Sequence, residues 1–221
     1  MAGIFDGSTS DLVVTQSATA IEYPVFMVCR YKATDADHRG TLIALSDNAA
    51  GGSLDCLALE IRGDAAGNRI HATSTAAGVS SSAVTTVDLI VAGEWRGAIA
   101  LFESASSRRV ADSIVAGLGG GVHREETTTR AVGDWTHLSI GALYDGGATN
   151  RFNGKLSKVR LYFGVDAEAI LDNPSWLSRV SMTIRPALFL DQVLTRKIND
   201  YADWGPTVTN NNVTFDYWGL E

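Results

Sequence analysis

Concentrated positive charge is missing from this sequence. Its 221 residues carry 18 Lys and Arg against 25 Asp and Glu, a net charge of −7, and no basic group is larger than Arg108 with Arg109 or Arg196 with Lys197. Phosphate backbones and anionic lipid surfaces are held by clustered Lys and Arg, so nucleic acid and membrane are excluded as partners. Long hydrophobic runs are missing too. No uninterrupted apolar stretch approaches the roughly 20 residues needed to cross a bilayer. The opening residues, MAGIFDGSTS, lack the basic end and apolar run of a secretory signal, which leads to the expectation of a protein made in the cytoplasm. Only two cysteines occur, Cys29 and Cys56, each inside an apolar, strand-like run. Buried free thiols are expected, with a disulfide as the alternative, and neither has a second Cys or a His at zinc-ligand spacing.

Familiar catalytic signatures are absent as well. There is no Gly-x-Ser-x-Gly elbow, no phosphate-cradling loop and no His-Glu-x-x-His zinc motif. The run GLGGGV at 117–122 is not followed by a helical pattern and reads as a hairpin tip. His38, His71, His123 and His137 lie in separate segments, and Glu125 and Glu126 would point to opposite faces of a strand. Asn212-Val213-Thr214 fits a glycosylation sequon but reads as an exposed turn. The expectation is a protein that is not an enzyme and that needs no cofactor. Calcium is the one open option, with Asp35 and Asp37 in KATDADHRG or Asp145 and Asn150 in YDGGATN as ligands; the same residues are also ordinary turn formers.

What is present is a series of short strands. Apolar residues run almost unbroken from Tyr23 to Tyr31, as in a strand covered on both faces. In SLDCLALEIRG, Leu57, Leu59 and Ile61 share one face with Asp55, while Leu54, Cys56, Ala58 and Glu60 share the other; GDAAGNRIHATS then supplies a turn and a partner strand. A similar hairpin follows, with Trp95 at the entry to the run from Ala98 to Phe102. In RFNGKLSKVRLYFG, Val159, Leu161 and Phe163 alternate with Lys158, Arg160 and Tyr162, which predicts one face on a core and the other in water. Strands this short, separated by Gly, Asn, Asp and Ser, predict two antiparallel sheets around one core.

Composition changes after Gly164. VDAEAILDNP reads as a short helix capped by Asp166 and stopped by Pro174, a second helix is expected from Ser175 to about Ser181, and a third along PALFLDQVLTRKINDY with Pro186 in its first turn. The predicted division is therefore a β domain over 1–172 and a helical, aromatic-rich extension over 173–221. Trp204, Phe215, Tyr217 and Trp218 fall close together in that extension. Aromatic side chains are favoured at interface centres, so these four are the candidate docking residues, with packing back on the same domain as the alternative. Trp95, Trp135 and Trp176 are expected to pack rather than to stack on sugars.

FDGSTSDLVV resembles the opening strand of concanavalin A-like, laminin-G-like jelly-roll domains, and RFNGKLSKVRLYFGVDAEAI resembles their closing signature through Phe152, Gly154, Val159, Leu161, Glu168 and Ile170. The family's Trp-His-His-x-Val stretch is represented only by GEWRGAIALF or by GDWTHLSIGALY. The resemblance implies a mostly β fold, a concanavalin A-like two-sheet antiparallel jelly-roll sandwich with a short helical C-terminal extension. It also implies that the opening and closing strands are neighbours in one sheet. Laminarinase-type hydrolases on this fold use Glu-x-Asp-x-Glu, which does not occur here.

An acidic jelly roll without a catalytic set resembles the accessory structural proteins of tailed bacteriophages. That implies a virion location, as a capsid decoration or a tail or baseplate component, with other virion subunits as partners and a symmetric homo-oligomer. Cell-surface glycans are a further class of partner. The alternative is a free, lectin-like glycan-binding module that uses calcium.

Overall fold

The computed structural model of the chain describes residues 2–63, 67–86, 88, 90–112, 123–125, 128–164, 188–189 and 207–216. Its strands, in chain order, are β1 (Ala2–Asp6), β2 (Asp11–Ala20), β3 (Val25–Ala33), β4 (Arg39–Ser46), β5 (Cys56–Arg62), β6 (Arg69–Ala76), β7 (Val79–Val84), β8 (Arg96–Phe102) and β9 (Arg108–Asp112). They continue with β10 (His123–Glu125), β11 (Asp134–Ile140), β12 (Leu143–Tyr144), β13 (Ala148–Thr149), β14 (Asn153–Phe163), β15 (Leu188–Phe189), β16 (Thr207–Asn211) and β17 (Thr214–Asp216). One short 3₁₀ turn, Gly51–Ser53, completes the elements among the described residues.

Two antiparallel sheets form the sandwich. The first runs β10-β9-β8-β3-β14-β1-β17, with β15 also beside β14, and the second runs β16-β2-β11-β4-β5-β6-β7. Alternation places Met27, Tyr31, Ala100, Phe102, Leu156 and Leu161 of the first sheet against Leu45, Leu57, Leu59, Ile70, Ala72 and Ile140 of the second, all within one buried cluster. The strand read as covered on both faces is so: Val25, Phe26, Met27 and Tyr31 are all fully buried.

The two Phe-Asp/Asn-Gly turns meet. β1 pairs with β14 in the register Phe5↔Gly154 and Asp6↔Asn153, and the Phe5 and Phe152 rings lie 6.2 Å apart. Asp6 fixes its turn by accepting N–H groups from Ser8, Thr9 and Ser10 and the Thr9 hydroxyl, which hold its carboxyl far below the usual carboxylate range. Gly154 has φ +148°, and a Cβ there would sit 2.2 Å from the Lys32 carbonyl oxygen, so the closing motif needs glycine at this strand contact.

Two expectations change. Tyr162, expected in water, is 2% exposed, with its ring 5.7 Å from Phe26, because this end of the first sheet is apolar on its outer face as well. Where a helix was expected from Pro186, Leu188 and Phe189 instead pair in extended form with Leu161 and Arg160. β14 outruns β1 there, and its open ladder groups recruit a strand against the local helical period. The helices expected in VDAEAILDNP and over 175–181, and the rest of the third, lie outside the described residues.

Part of the C-terminal extension belongs to the sheets. β16 pairs with β2 and β17 with β1, so residues 207–216 add one edge strand to each sheet. The Ser10 hydroxyl donates to the Asn212 carbonyl at 3.1 Å in the turn between them.

Candidate functional site

The second sheet turns a hydroxyl-rich face outward. Because Leu57, Leu59 and Ile61 face the core, Cys56, Ala58, Glu60 and Arg62 face away from it, and the register sets them beside Thr75, Thr73, His71 and Arg69 on β6. Ser80 and Ser82 of β7 continue the rows opposite Thr75 and Thr73.

The β12–β13 hairpin roofs this face. The Thr41 N–H donates to the Asn150 carbonyl at 2.8 Å and the Gly146 N–H to the Asn48 carbonyl at 3.1 Å, which pins the hairpin across the edge of β4. Leu143 then packs with Ala44, Leu54, Cys56 and Ala58 as a small satellite core. Between roof and sheet lies a groove of about 310 Å³, within the usual size range of ligand pockets. Its floor is Cys56 and Ala58, and Leu143 lines it from the roof; its walls carry Arg39, Arg62, Thr73, Thr75, Ser80, Asp145 and Asn150.

Glu60 is the buried charge of the groove, 1% exposed. Its Oε1 accepts from Arg39 at 3.2 Å and from the Thr41 hydroxyl at 3.5 Å, and its Oε2 accepts from the Thr73 hydroxyl at 3.0 Å. Since Thr73 spends its proton on Glu60, the Ser82 hydroxyl donates to Thr73 at 2.9 Å. Burial pushes the Cys56 thiol up to about 12, so it is an inert part of the floor.

A second polar centre ties the roof to the C-terminal strand. Asp11, fully buried, accepts from the Tyr144 hydroxyl at 2.8 Å, from Asn211 Nδ2 at 2.8 Å and from Arg151 at 3.4 Å. The Tyr144 ring stacks on His137 at 5.1 Å. Burial and then the Asp11 hydrogen bond push the Tyr144 phenol up to about 12, and burial pushes His137 below its ordinary value.

The residues singled out in the sequence are dispersed. Asp35 and Asp37 form an exposed turn in which the Asp37 N–H donates to Asp35, whereas Asp145 and Asn150 line the groove. Among the described residues no three His, Cys, Asp or Glu side chains converge as a metal-holding group. Phe215 lies on β17 opposite Gly3, and Trp204, Tyr217 and Trp218 lie outside the described residues. Trp135 is buried and stacks on Phe163 at 6.0 Å; Trp95 is half-buried with the Arg30 guanidinium 5.4 Å from its ring. Cys29 and Cys56 are both buried free thiols. Glu60, Arg39, Arg62 and Thr73 were missed. The only signal for them was a charged residue in the outward row of SLDCLALEIRG facing the alternating threonines of HATST.

No protein-family model matches the sequence, and no curated protein resembles it in sequence. Solved structures do resemble the fold. Laminin-G domains 4–5 of the mouse laminin alpha1 chain superpose with a TM-score of 0.53 at 16% identity, over 73% of this chain and 40% of that one. The enzymatically active domain of bacteriophage CBA120 tailspike protein 2 gives 0.52 at 11%, over 77% and 27%. The CBM40 module of a Ruminococcus gnavus sialidase, bound to alpha2,3-sialyllactose, gives 0.51 at 11%, over 72% and 94%. The fold is the concanavalin A-like, laminin-G-like jelly roll. The chain spans less than half of the laminin fragment and of the tailspike domain, and at these identities the likeness extends to the fold alone.

Proposed function

We propose that the chain is a non-catalytic recognition protein whose jelly roll binds glycans in the roofed groove, and that it serves as an accessory structural component of a tailed-bacteriophage particle, on capsid or tail. The observation that carries the glycan reading is the groove itself: small side chains on the floor, hydroxyls and one fixed carboxylate on the walls. Hydroxyl ligands are matched by such rigid acceptors and donors, because an unpaired buried polar group costs more than a made bond returns. Both oxygens of Glu60 are engaged by neighbours, which suits an acceptor and not a proton-transferring acid.

The virion role is supported by a phage tailspike of the same fold. In this reading residues 173–221, with Trp204, Phe215, Tyr217 and Trp218, hold the protein to other virion subunits or to its own copies as a homo-oligomer. The test is a glycan array probed with the full chain, alongside light scattering of the full chain with and without Trp204→Ala and Trp218→Ala. Glycan binding without release of sugar, and a discrete oligomer lost on substitution, are expected. Released sugar on any bound glycan would overturn the non-catalytic assignment, and a monomer unaffected by substitution would overturn the docking role.

Asp145 and Asn150 in the groove favour one other reading, a free lectin-like module that uses calcium. It requires that chelation abolish glycan binding and that the full chain be monomeric.

A further inference from the structure

One end of the groove is crowded with arginine. Arg39 on β4 stands directly opposite Arg62 on β5, and Arg62 stands opposite Arg69 on β6, so three guanidinium-bearing positions form one row across three strands. Like charges placed opposite one another on a sheet repel. The anions that offset them are few. Glu60 meets one terminal nitrogen of Arg39 at 3.2 Å, and Asp88 lies 3.8 Å from Arg69. Arg62 makes no side-chain hydrogen bond or ion pair among the described residues, and its Nε and that of Arg39 are buried without a partner. Both side chains line the groove.

Buried donors without acceptors are costly, and an incoming acceptor removes that cost. A planar guanidinium is matched by a planar carboxylate, which takes two parallel N–H bonds. Resting on the glycan reading above, we infer that the groove selects an acidic saccharide and seats a sugar carboxylate on Arg62 and Arg39. The sugar ring then lies between Ala58 and Leu143, with hydroxyls towards Thr75 and Ser80. Asp145, which bridges to Asn48 beyond the far end of β4, repels a carboxylate from the other end and so sets the direction in which the saccharide lies.

The test titrates the full chain with oligogalacturonate, with a sialylated trisaccharide, with carboxyl-reduced oligogalacturonate and with a sulfated disaccharide. Binding of a carboxylated sugar is expected, weakened about tenfold or more by carboxyl reduction. Arg62→Gln should weaken it about tenfold to hundredfold, the scale of a lost charge-assisted hydrogen bond, with thermal stability kept or raised, because Arg62 makes no side-chain bond among the described residues and faces two other arginines. Arg62→Lys should restore part of the loss and not all, since lysine keeps the charge without the fork. Equal affinity for the acidic and carboxyl-reduced forms, or indifference to Arg62→Gln, overturns the acidic assignment while leaving glycan recognition standing. Preference for the sulfated sugar overturns the carboxylate. Absence of binding to any saccharide, neutral ones on the array included, overturns the glycan reading together with this one.

Discussion

Tyr144 holds the roof of the groove to the body of the fold, and removing its hydroxyl measures how firmly. In Tyr144→Phe the ring keeps its stack on His137, so the change removes only what the hydroxyl makes: the 2.8 Å hydrogen bond it donates to the buried Asp11 carboxylate and a longer one, 3.3 Å, that it accepts from Asn211 Nδ2. A hydrogen bond to a charged, buried acceptor contributes about 1.5–3 kcal/mol. Asp11 retains Asn211 and Arg151, which places the loss at the low end, about 1.5–2 kcal/mol. For a chain of this size each kcal/mol moves Tm by about 2–4 °C, so a fall of about 3–8 °C is expected in thermal unfolding at pH 7. The pH dependence gives an independent check. The folded-state phenol is raised from 10 to about 12, so its stabilising effect is complete below pH 10 and is lost as pH rises through about 12. The gap between wild type and Tyr144→Phe should therefore stay constant from pH 7 to 9.5 and narrow above pH 10. A variant as stable as wild type at pH 7, or a gap that widens above pH 10, would refute the latch.

Other perturbations follow from the same contacts. Glu60→Ala strands the Thr73 and Thr41 hydroxyls and one arginine nitrogen, at a cost of about 3 kcal/mol in urea unfolding; a loss under about 1 kcal/mol would mean the carboxylate is not integral to the face. Gly154→Ala should cost about 1–3 kcal/mol, because the positive φ and the Lys32 carbonyl leave no room for a methyl group, and a neutral result would contradict the β3–β14 register. A chain ending at Pro206 loses an edge strand from each sheet and the Asn211 bond to Asp11, so it should melt well below the full chain; equal melting would separate 207–216 from the fold. Burial raises both thiols, Cys56 to about 12, so neither should react with an aromatic disulfide reagent at pH 8 until denaturant is added; labelling of the native chain would contradict the packing.

The sandwich was legible because period-two alternation and turn residues are local signals. Leu57, Leu59 and Ile61 sort to the core from their own spacing, and the Phe-Asp/Asn-Gly turns announce two strands that close the domain side by side. Tyr162 was misread because alternation reports a strand's two faces without saying what covers each. Leu188 and Phe189 were misread because the helical period there is local, while the vacant edge of β14 exists only after folding. The groove was hidden for a similar reason. Glu60, Arg62 and Thr73 come from the outward faces of the β5–β6 hairpin and Asn150 from a second hairpin far along the chain, and no motif links the two. The register places the Glu60 row beside Thr73, and the Thr41 and Gly146 backbone bonds to Asn150 and Asn48 bring the roof over it.

The central claim is that the groove between the β12–β13 roof and the outward face of β5, β6 and β7 is where this protein meets a sugar. Backbone amide shifts of the labelled full chain, followed during titration with whichever saccharide the array selects, test it most directly. Perturbations concentrated at residues 56–62, 73–80 and 143–150 are expected, with the saccharide recovered intact. Perturbations confined to other surfaces, or cleavage of the saccharide, would contradict it.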